Sequence, residues 1–265
     1  MNLYVGTSGF SYKEWKGNFY PEKLPAKEML PYYASRLPAV EINNTFYRLP
    51  QRSMVESWKE QVPDSFRFSL KASQRITHFK RLKDVEDETR YLLETASALE
   101  DRLGVVLFQL PPNMKKDLSR LESFIEHLPG DTRVAFEFRH PTWFDDDVLD
   151  LLRTNNRALC LSDTDDLPIT HIDNTADWGY LRLRRVNYSE ADLAEWLSRV
   201  RAQNWSTAYV FFKHEDEGTG PRLVAAGGRV FIMAVFLLNH SYHFSSTRTT
   251  VPCGQYHRAV EAVKN

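Results

Sequence analysis

Apolar residues in this chain gather into eight short β-rich runs, at residues 3–8, 40–46, 66–73, 105–110, 134–140, 158–163, 179–184 and 208–214. Helix-like segments or long loops separate them. Residues 83–103 read as an amphipathic helix, because Val85, Leu92, Leu93, Ala96 and Leu99 recur at helical spacing. Residues 118–128, 145–155 and 189–203 show the same pattern. Ser189 is placed to cap the last of these, with Asp192 three residues on as an acidic variant of a capping box. Strand alternating with helix predicts a parallel sheet with right-handed crossovers, and eight such units favour closure into a (β/α)₈ barrel. Residues 164–177 are polar and predict no helix between the sixth and seventh strands.

Strands covered on both faces normally read as continuous apolar runs. Several of these carry charges at alternate positions instead. Val134, Phe136 and Phe138 share one face while Glu137 and Arg139 share the other. Phe66, Phe68 and Leu70 alternate with Arg67, Ser69 and Lys71. Val40 and Ile42 alternate with Glu41 and Asn43, and Leu181 and Leu183 with Arg182 and Arg184. The economical reading turns the apolar face to the surrounding helices and the polar face into the barrel. Gln109 and Asp163, which end their strands, join the inward set. Buried charges need partners, so these residues are expected to form one network. Their late positions place it at the C-terminal ends of the strands, where barrel enzymes carry their chemistry.

Bulk properties narrow the setting. The 265 residues suit a single barrel of roughly 250 residues. A net charge of −1 gives no global field toward nucleic acid or an anionic membrane. The start has no basic segment followed by an apolar one, and the apolar run at 230–238 is far short of the roughly 20 residues of a membrane helix. With only Cys160 and Cys253 there is no disulfide framework or cysteine zinc site. A cytoplasmic protein without membrane contact is expected.

Several longer segments resemble a known family: GTSGFSYKEWKGNFYP from Gly6, VEINNTFYRLP from Val40, FRFSLKASQRITHFKRL from Phe66, FQLPPN from Phe108 and AFEFRHPTWF from Ala135. LSDTD from Leu161 and TADWGYLRLRR from Thr175 continue the match. Together they resemble the YecE-like family of uncharacterised TIM-barrel proteins, domain of unknown function 72. The resemblance implies a TIM barrel related in shape to xylose isomerase and endonuclease IV, and it implies no activity. Two departures stand out. Where many members read Arg-Leu-His-Gly, this chain has Arg182-Leu183-Arg184-Arg185, so arginine replaces a site histidine. Past Ala226 the resemblance stops. Residues 1–226 are therefore expected to form the barrel and 227–265 an atypical extension, or an altered reading frame, that packs poorly.

The candidate catalytic residues are Glu137, Glu41 and Lys71, the carboxylates as acid/base groups and the lysine as an anion partner or a base. Candidate substrate contacts are Ser8, Tyr12, Asn43, Tyr47, His78, Gln109, Arg139, Asp163 and Arg182. Trp15, Phe46, Trp143 and Phe144 join Tyr12 and Tyr47 as an aromatic rim, and the Gly6-Thr-Ser-Gly9 turn offers backbone N–H groups to an oxyanion. The loop carrying Arg75, His78, Lys80 and Arg81 suits phosphate or carboxylate. No cofactor is predicted. A divalent metal on Glu41, Glu137, Asp163 and His214 is the lesser alternative, since no close motif such as H-E-x-x-H occurs. The expected function is isomerase, epimerase or hydrolase chemistry on a small anion bearing a sugar or phosphate. The alternatives are a nucleic-acid barrel, with arginine loops and rim aromatics forming one stripe, and a non-enzymatic ligand-binding protein.

Overall fold

The computed structural model describes residues 1–169 and 171–213. The expected extension at 227–265 and the candidate ligand His214 lie outside the described residues. Eight parallel strands close in sequence order: β1 (Asn2–Ser8), β2 (Ala39–Ile42), β3 (Arg67–Lys71), β4 (Leu103–Gln109), β5 (Val134–Glu137), β6 (Ala158–Asp163), β7 (Trp178–Leu183) and β8 (Thr207–Phe212). The chain is a TIM barrel. β1 closes it against β8, from Asn2 opposite Thr207 to Thr7 opposite Phe212. At β1 and β2 the backbones approach so closely that a Cβ on Gly6 would stand 1.9 Å from the Ala39 carbonyl oxygen.

The outer helices are α1 (Met29–Ala34), α2 (Asn44–Tyr47), α3 (Arg52–Glu60), α4 (Glu86–Ala96), α5 (Leu118–Glu126), α6 (Asp146–Thr154) and α7 (Glu190–Arg201). The helix expected over 83–103 is shorter at both ends. A 3₁₀ segment, Ser97–Arg102, follows α4, and Glu100 breaks its geometry with φ 51°. Ser189 and Asp192 form the full reciprocal capping box at α7. The described part of the connection between β6 and β7 contains no helix. The second strand ends early: Asn43 starts a turn into α2, because Thr45 Oγ1 donates to the carbonyls of Ile42 (3.0 Å) and Lys71 (2.7 Å). That clasp pins the tips of β2 and β3 together.

Strand parity sorts the core as the alternation predicts. Phe108, Phe124 and Phe136 pack between strands and α5, with ring centroids 5.1 to 6.2 Å apart. Inside the barrel lies a second, separate apolar cluster of Ala39, Val105, Leu107, Ala135, Ala158, Cys160, Trp178, Tyr180, Tyr209 and Phe211. It forms a dry floor beneath the charged strand ends. Glu41, Glu137 and Arg182 just above it are buried too, and the low local dielectric strengthens the electrostatic interactions between them.

Candidate functional site

Above that floor, Arg182 bridges two carboxylates across the barrel. Its Nη1 donates to Glu137 Oε2 at 2.6 Å and its Nη2 to Glu41 Oε1 at 2.9 Å, and all three side chains are buried. These residues come from β7, β5 and β2, so the contacts span the interior and do not follow the sheet. Glu41 is completed by Ser8 Oγ (2.7 Å to Oε1) and Tyr180 Oη (2.7 Å to Oε2). Glu137 pairs also with Arg139, and Arg184 Nη1 stands 3.7 Å from Glu137 Oε1.

These pairings control ionisation. Burial by itself would raise both carboxyl pKa values. For Glu137 the guanidiniums of Arg182, Arg139 and Arg184 outweigh it and hold the group at about 2. For Glu41, Arg182 with the Tyr180 and Ser8 hydroxyls has the same net effect, lowering it. Lys71 behaves oppositely. Burial and the Arg182 charge pull it down to about 8 against the pull of Glu137 and Glu41. Its Nζ lies 4.2 Å from the centre of the Phe46 ring, and among the described residues it makes no ion pair within 4 Å. His78 packs edge-on against the same ring at 4.9 Å, and burial with Lys71, Arg139 and Arg81 nearby lowers its pKa.

Among the described residues, the carboxylates of Glu41 and Glu137 therefore face the guanidiniums of Arg139, Arg182 and Arg184 and the ammonium of Lys71. The excess is positive, and the positive groups retain donors. Arg139 Nε, Arg184 Nη1 and Arg182 Nε are buried without a hydrogen-bond partner among the described residues. Buried N–H groups of charged side chains left unpaired are costly, so such a cluster is suited to accepting an anion.

The sequence-derived set divides. Glu41, Lys71, Glu137, Arg139 and Arg182 come together, with Ser8 as a donor to Glu41. Gln109, in register with Glu137, ends β4 on the inward parity, and Asn43 is half-buried at the tip of β2. Asp163 does not belong. It follows Leu159 and Leu161 on the outward parity, where it accepts from the Ile169 backbone (3.0 Å), Arg185 Nη2 (3.0 Å) and Tyr188 Oη (2.9 Å). It ties loops together beyond the strands and leaves Ser162 facing inward. This also dissolves the metal set, since Asp163 turns away and guanidiniums occupy Glu41 and Glu137. No cluster of three or more His, Cys, Asp or Glu suited to a metal occurs among the described residues.

The aromatic rim is corrected too. Trp15 and Trp143 are fully buried anchors, Trp143 donating through Nε1 to the Met114 carbonyl at 2.7 Å. Tyr12 donates to the Ser8 carbonyl (2.6 Å) and packs on Trp15, so it braces the β1 turn. Gly9 is required in that turn, with φ 93° and the Tyr12 hydroxyl 2.4 Å from where a Cβ would sit. Tyr47 is 73% exposed beside Phe46. In the basic loop, Arg75 and Lys80 both pair with Glu88 at 2.8 Å, which spends their charge locally.

Tyr180 escapes the sequence reading of the site, and Arg184, expected on the inward face, is absent from its candidate contacts. Tyr180 lies two positions before Arg182, and Arg184 two after it, on the same inward face of β7. The signal was the parity that identified Arg182. A groove of about 810 Å³ between α4 and α5, lined by Leu93, Glu94, Arg120 and Phe124 among others, shares no residue with the charged layer.

A closed eight-stranded barrel with a charged layer at its C-terminal mouth defines the class of protein. The family model "Protein of unknown function DUF72" matches residues 4–229, and the chain belongs to that family. It is 33% identical over 143 residues to UPF0759 protein YecE of Escherichia coli (strain K12), covering 54% of this chain and 50% of that one. It is 29% identical over 150 residues to UPF0759 protein YunF of Bacillus subtilis (strain 168), covering 54% and 52%. The chain thus matches about half the length of these curated relatives. A crystal structure of a DUF72 family protein from Thermotoga maritima superposes with TM-score 0.71 at 26% identity, covering 88% of this chain and 100% of that one. One from Enterococcus faecalis superposes with TM-score 0.69 at 20% identity, covering 87% and 98%, and supports the fold alone. No helix of the described residues is long and apolar enough to cross a membrane.

Proposed function

We propose that the barrel mouth binds a small anion and that the protein is an enzyme performing proton-transfer chemistry on it. The observation that carries this reading is the surplus of cations among the described residues: Arg139 and Arg184, part-exposed at the strand ends, keep N–H groups without a hydrogen-bond partner there beside Glu137. A sugar phosphate or sugar acid supplies the acceptors and charge that such a cluster lacks.

The roles expected of the carboxylates change in this reading. A group held at about 2 is a poor base and cannot store a proton near neutral pH. Glu137 and Glu41 act as fixed negative charges that hold Arg182 across the site. Lys71, at about 8, is the side chain poised to exchange a proton, while Arg139 and Arg184 stabilise negative charge developing on the substrate. Half-buried His78 borders the same space. The nucleic-acid alternative needs a continuous basic stripe, whereas Arg75 and Lys80 pair with Glu88, and Arg185 pairs with Asp163. A cytoplasmic setting fits the free thiol of Cys160.

Calorimetric titration with inorganic phosphate, a sugar phosphate and a neutral sugar tests the binding claim. The anions should bind and the neutral sugar should not. Arg139→Met and Arg184→Met should each weaken anion binding by at least about tenfold, the equivalent of one charged hydrogen bond. Equal affinity in both variants would overturn the assignment.

A further inference from the structure

Lys71 is placed for more than proton transfer. It ends β3 at the barrel mouth, and Thr45 holds its backbone carbonyl at 2.7 Å. The nearby carboxylates are already taken, Glu41 by Ser8, Tyr180 and Arg182, and Glu137 by Arg182 and Arg139. The amine lies against the Phe46 ring with no ion pair among the described residues, beside the charges of Arg182 and Arg184. Burial and those charges bring it down to about 8. About a tenth of such amines are neutral at pH 7, against fewer than one in a thousand for an ordinary lysine. A desolvated lysine next to cationic groups is the setting in which an amine attacks carbonyl carbon.

We propose that Lys71 forms an imine with a small carbonyl compound carrying a carboxylate or phosphate, the anionic group being held by Arg139 and Arg184. This rests on the anion-binding reading above. The neutral Nζ lone pair forms the C–N bond while the carbonyl π electrons move to oxygen. Proton transfer from nitrogen to oxygen gives a carbinolamine. Its C–O bond then breaks with loss of water, leaving C=N. Amine and carbonyl thus become imine and water, with no oxidant or reductant consumed. Once protonated, the imine draws electrons from an adjacent C–H or C–C bond. That activation suits isomerisation or carbon–carbon cleavage, and the positive imine occupies the place of the ammonium it replaces.

The test is reductive trapping on the full chain. Pyruvate, dihydroxyacetone phosphate and acetone are each incubated with the protein and cyanoborohydride, which adds hydride to the imine carbon. Adducts are then mapped by peptide mass spectrometry. Lys71 should be modified roughly a hundredfold faster than other lysines, following its larger neutral fraction. The oxo acid and the keto phosphate should both outpace acetone, and whichever is faster identifies the anion preferred. Arg139→Met should slow the two anionic probes and leave acetone unchanged, and Lys71→Arg should remove the fast site. If wild-type protein binds phosphate by calorimetry yet Lys71 reacts no faster than other lysines, the imine is overturned and the anion site stands. If Lys71 reacts fast with all three probes equally and Arg139→Met changes nothing, the anion reading fails instead.

Discussion

Replacing Arg182 with methionine removes the one side chain that holds both carboxylates. Methionine keeps the unbranched apolar stem and removes the charged guanidinium, so the change is chiefly electrostatic. Glu137 keeps Arg139 and Arg184 as partners, whereas among the described residues Glu41 is left with the hydroxyls of Ser8 and Tyr180. Breaking a buried ion pair from one side costs about 3–5 kcal/mol. For a chain of this size that lowers the melting temperature by roughly 5–10 °C. The loss should also depend on pH. Without Arg182, burial dominates at Glu41 and raises its folded pKa above the ordinary carboxylate value. The variant then takes up a proton in the folded state and recovers stability as pH falls. The wild type has depressed carboxyl pKa values and keeps their full contribution until pH falls below the ordinary carboxylate value, so the variant alone changes between neutral pH and pH 5. Urea unfolding near neutral pH and at about pH 5, followed by tryptophan fluorescence, should show the gap narrowing in acid. A gap below about 1 kcal/mol, or one that does not change with pH, would refute the claim that Arg182 neutralises Glu41 in a buried layer.

Three further outcomes follow from the same geometry. Glu137 is depressed from 4.5 to about 2, so its contribution is complete above pH 4.5 and disappears as pH falls toward 2. That shift is worth about 3 kcal/mol, shared with its arginines, and Glu137→Gln should flatten the acid limb of a stability–pH profile. Lys71 has the opposite charge and a folded value of about 8 against 10.5, so its protonated form is penalised fully below pH 8 and progressively less up to 10.5. Lys71→Met should therefore be more stable than wild type at neutral pH, with the advantage fading as pH rises through that window in thermal melts. Gly6→Ala would drive a methyl group into the Ala39 carbonyl, and circular dichroism should show loss of the folded barrel or a melting temperature lowered by several degrees.

What the sequence revealed of this site depended on strand parity. Where charged and apolar residues alternate, as at Glu137 and Arg139 or Arg182 and Arg184, the inward face is legible once closure is assumed. β6 offers no such contrast, since Leu159, Cys160 and Leu161 are all apolar and all buried. Its parity is therefore open from sequence, and Asp163, expected to face inward, faces outward. The aromatics illustrate a second limit. Trp15 and Tyr47 both follow strands in polar surroundings, yet one is fully buried and the other 73% exposed. Loop packing, which has no sequence period, decides between them. The bridging of Glu41 and Glu137 by one arginine was out of reach for a third reason. It depends on which side chains meet across the barrel, and that follows from stagger and register, not from local pattern. The eight strands themselves were visible, with end errors of a few residues where turns such as the Thr45 clasp cut a strand short.

Soaking crystals of the full chain in selenate tests the anion site most directly, because its anomalous scattering marks the ion without ambiguity. Selenate should bind at the barrel mouth within hydrogen-bonding distance of Arg139 and Arg184, and should be lost from that position in Arg139→Met crystals. Selenate bound only at surface sites, with none at the mouth of the wild-type barrel, would contradict the anion-binding reading.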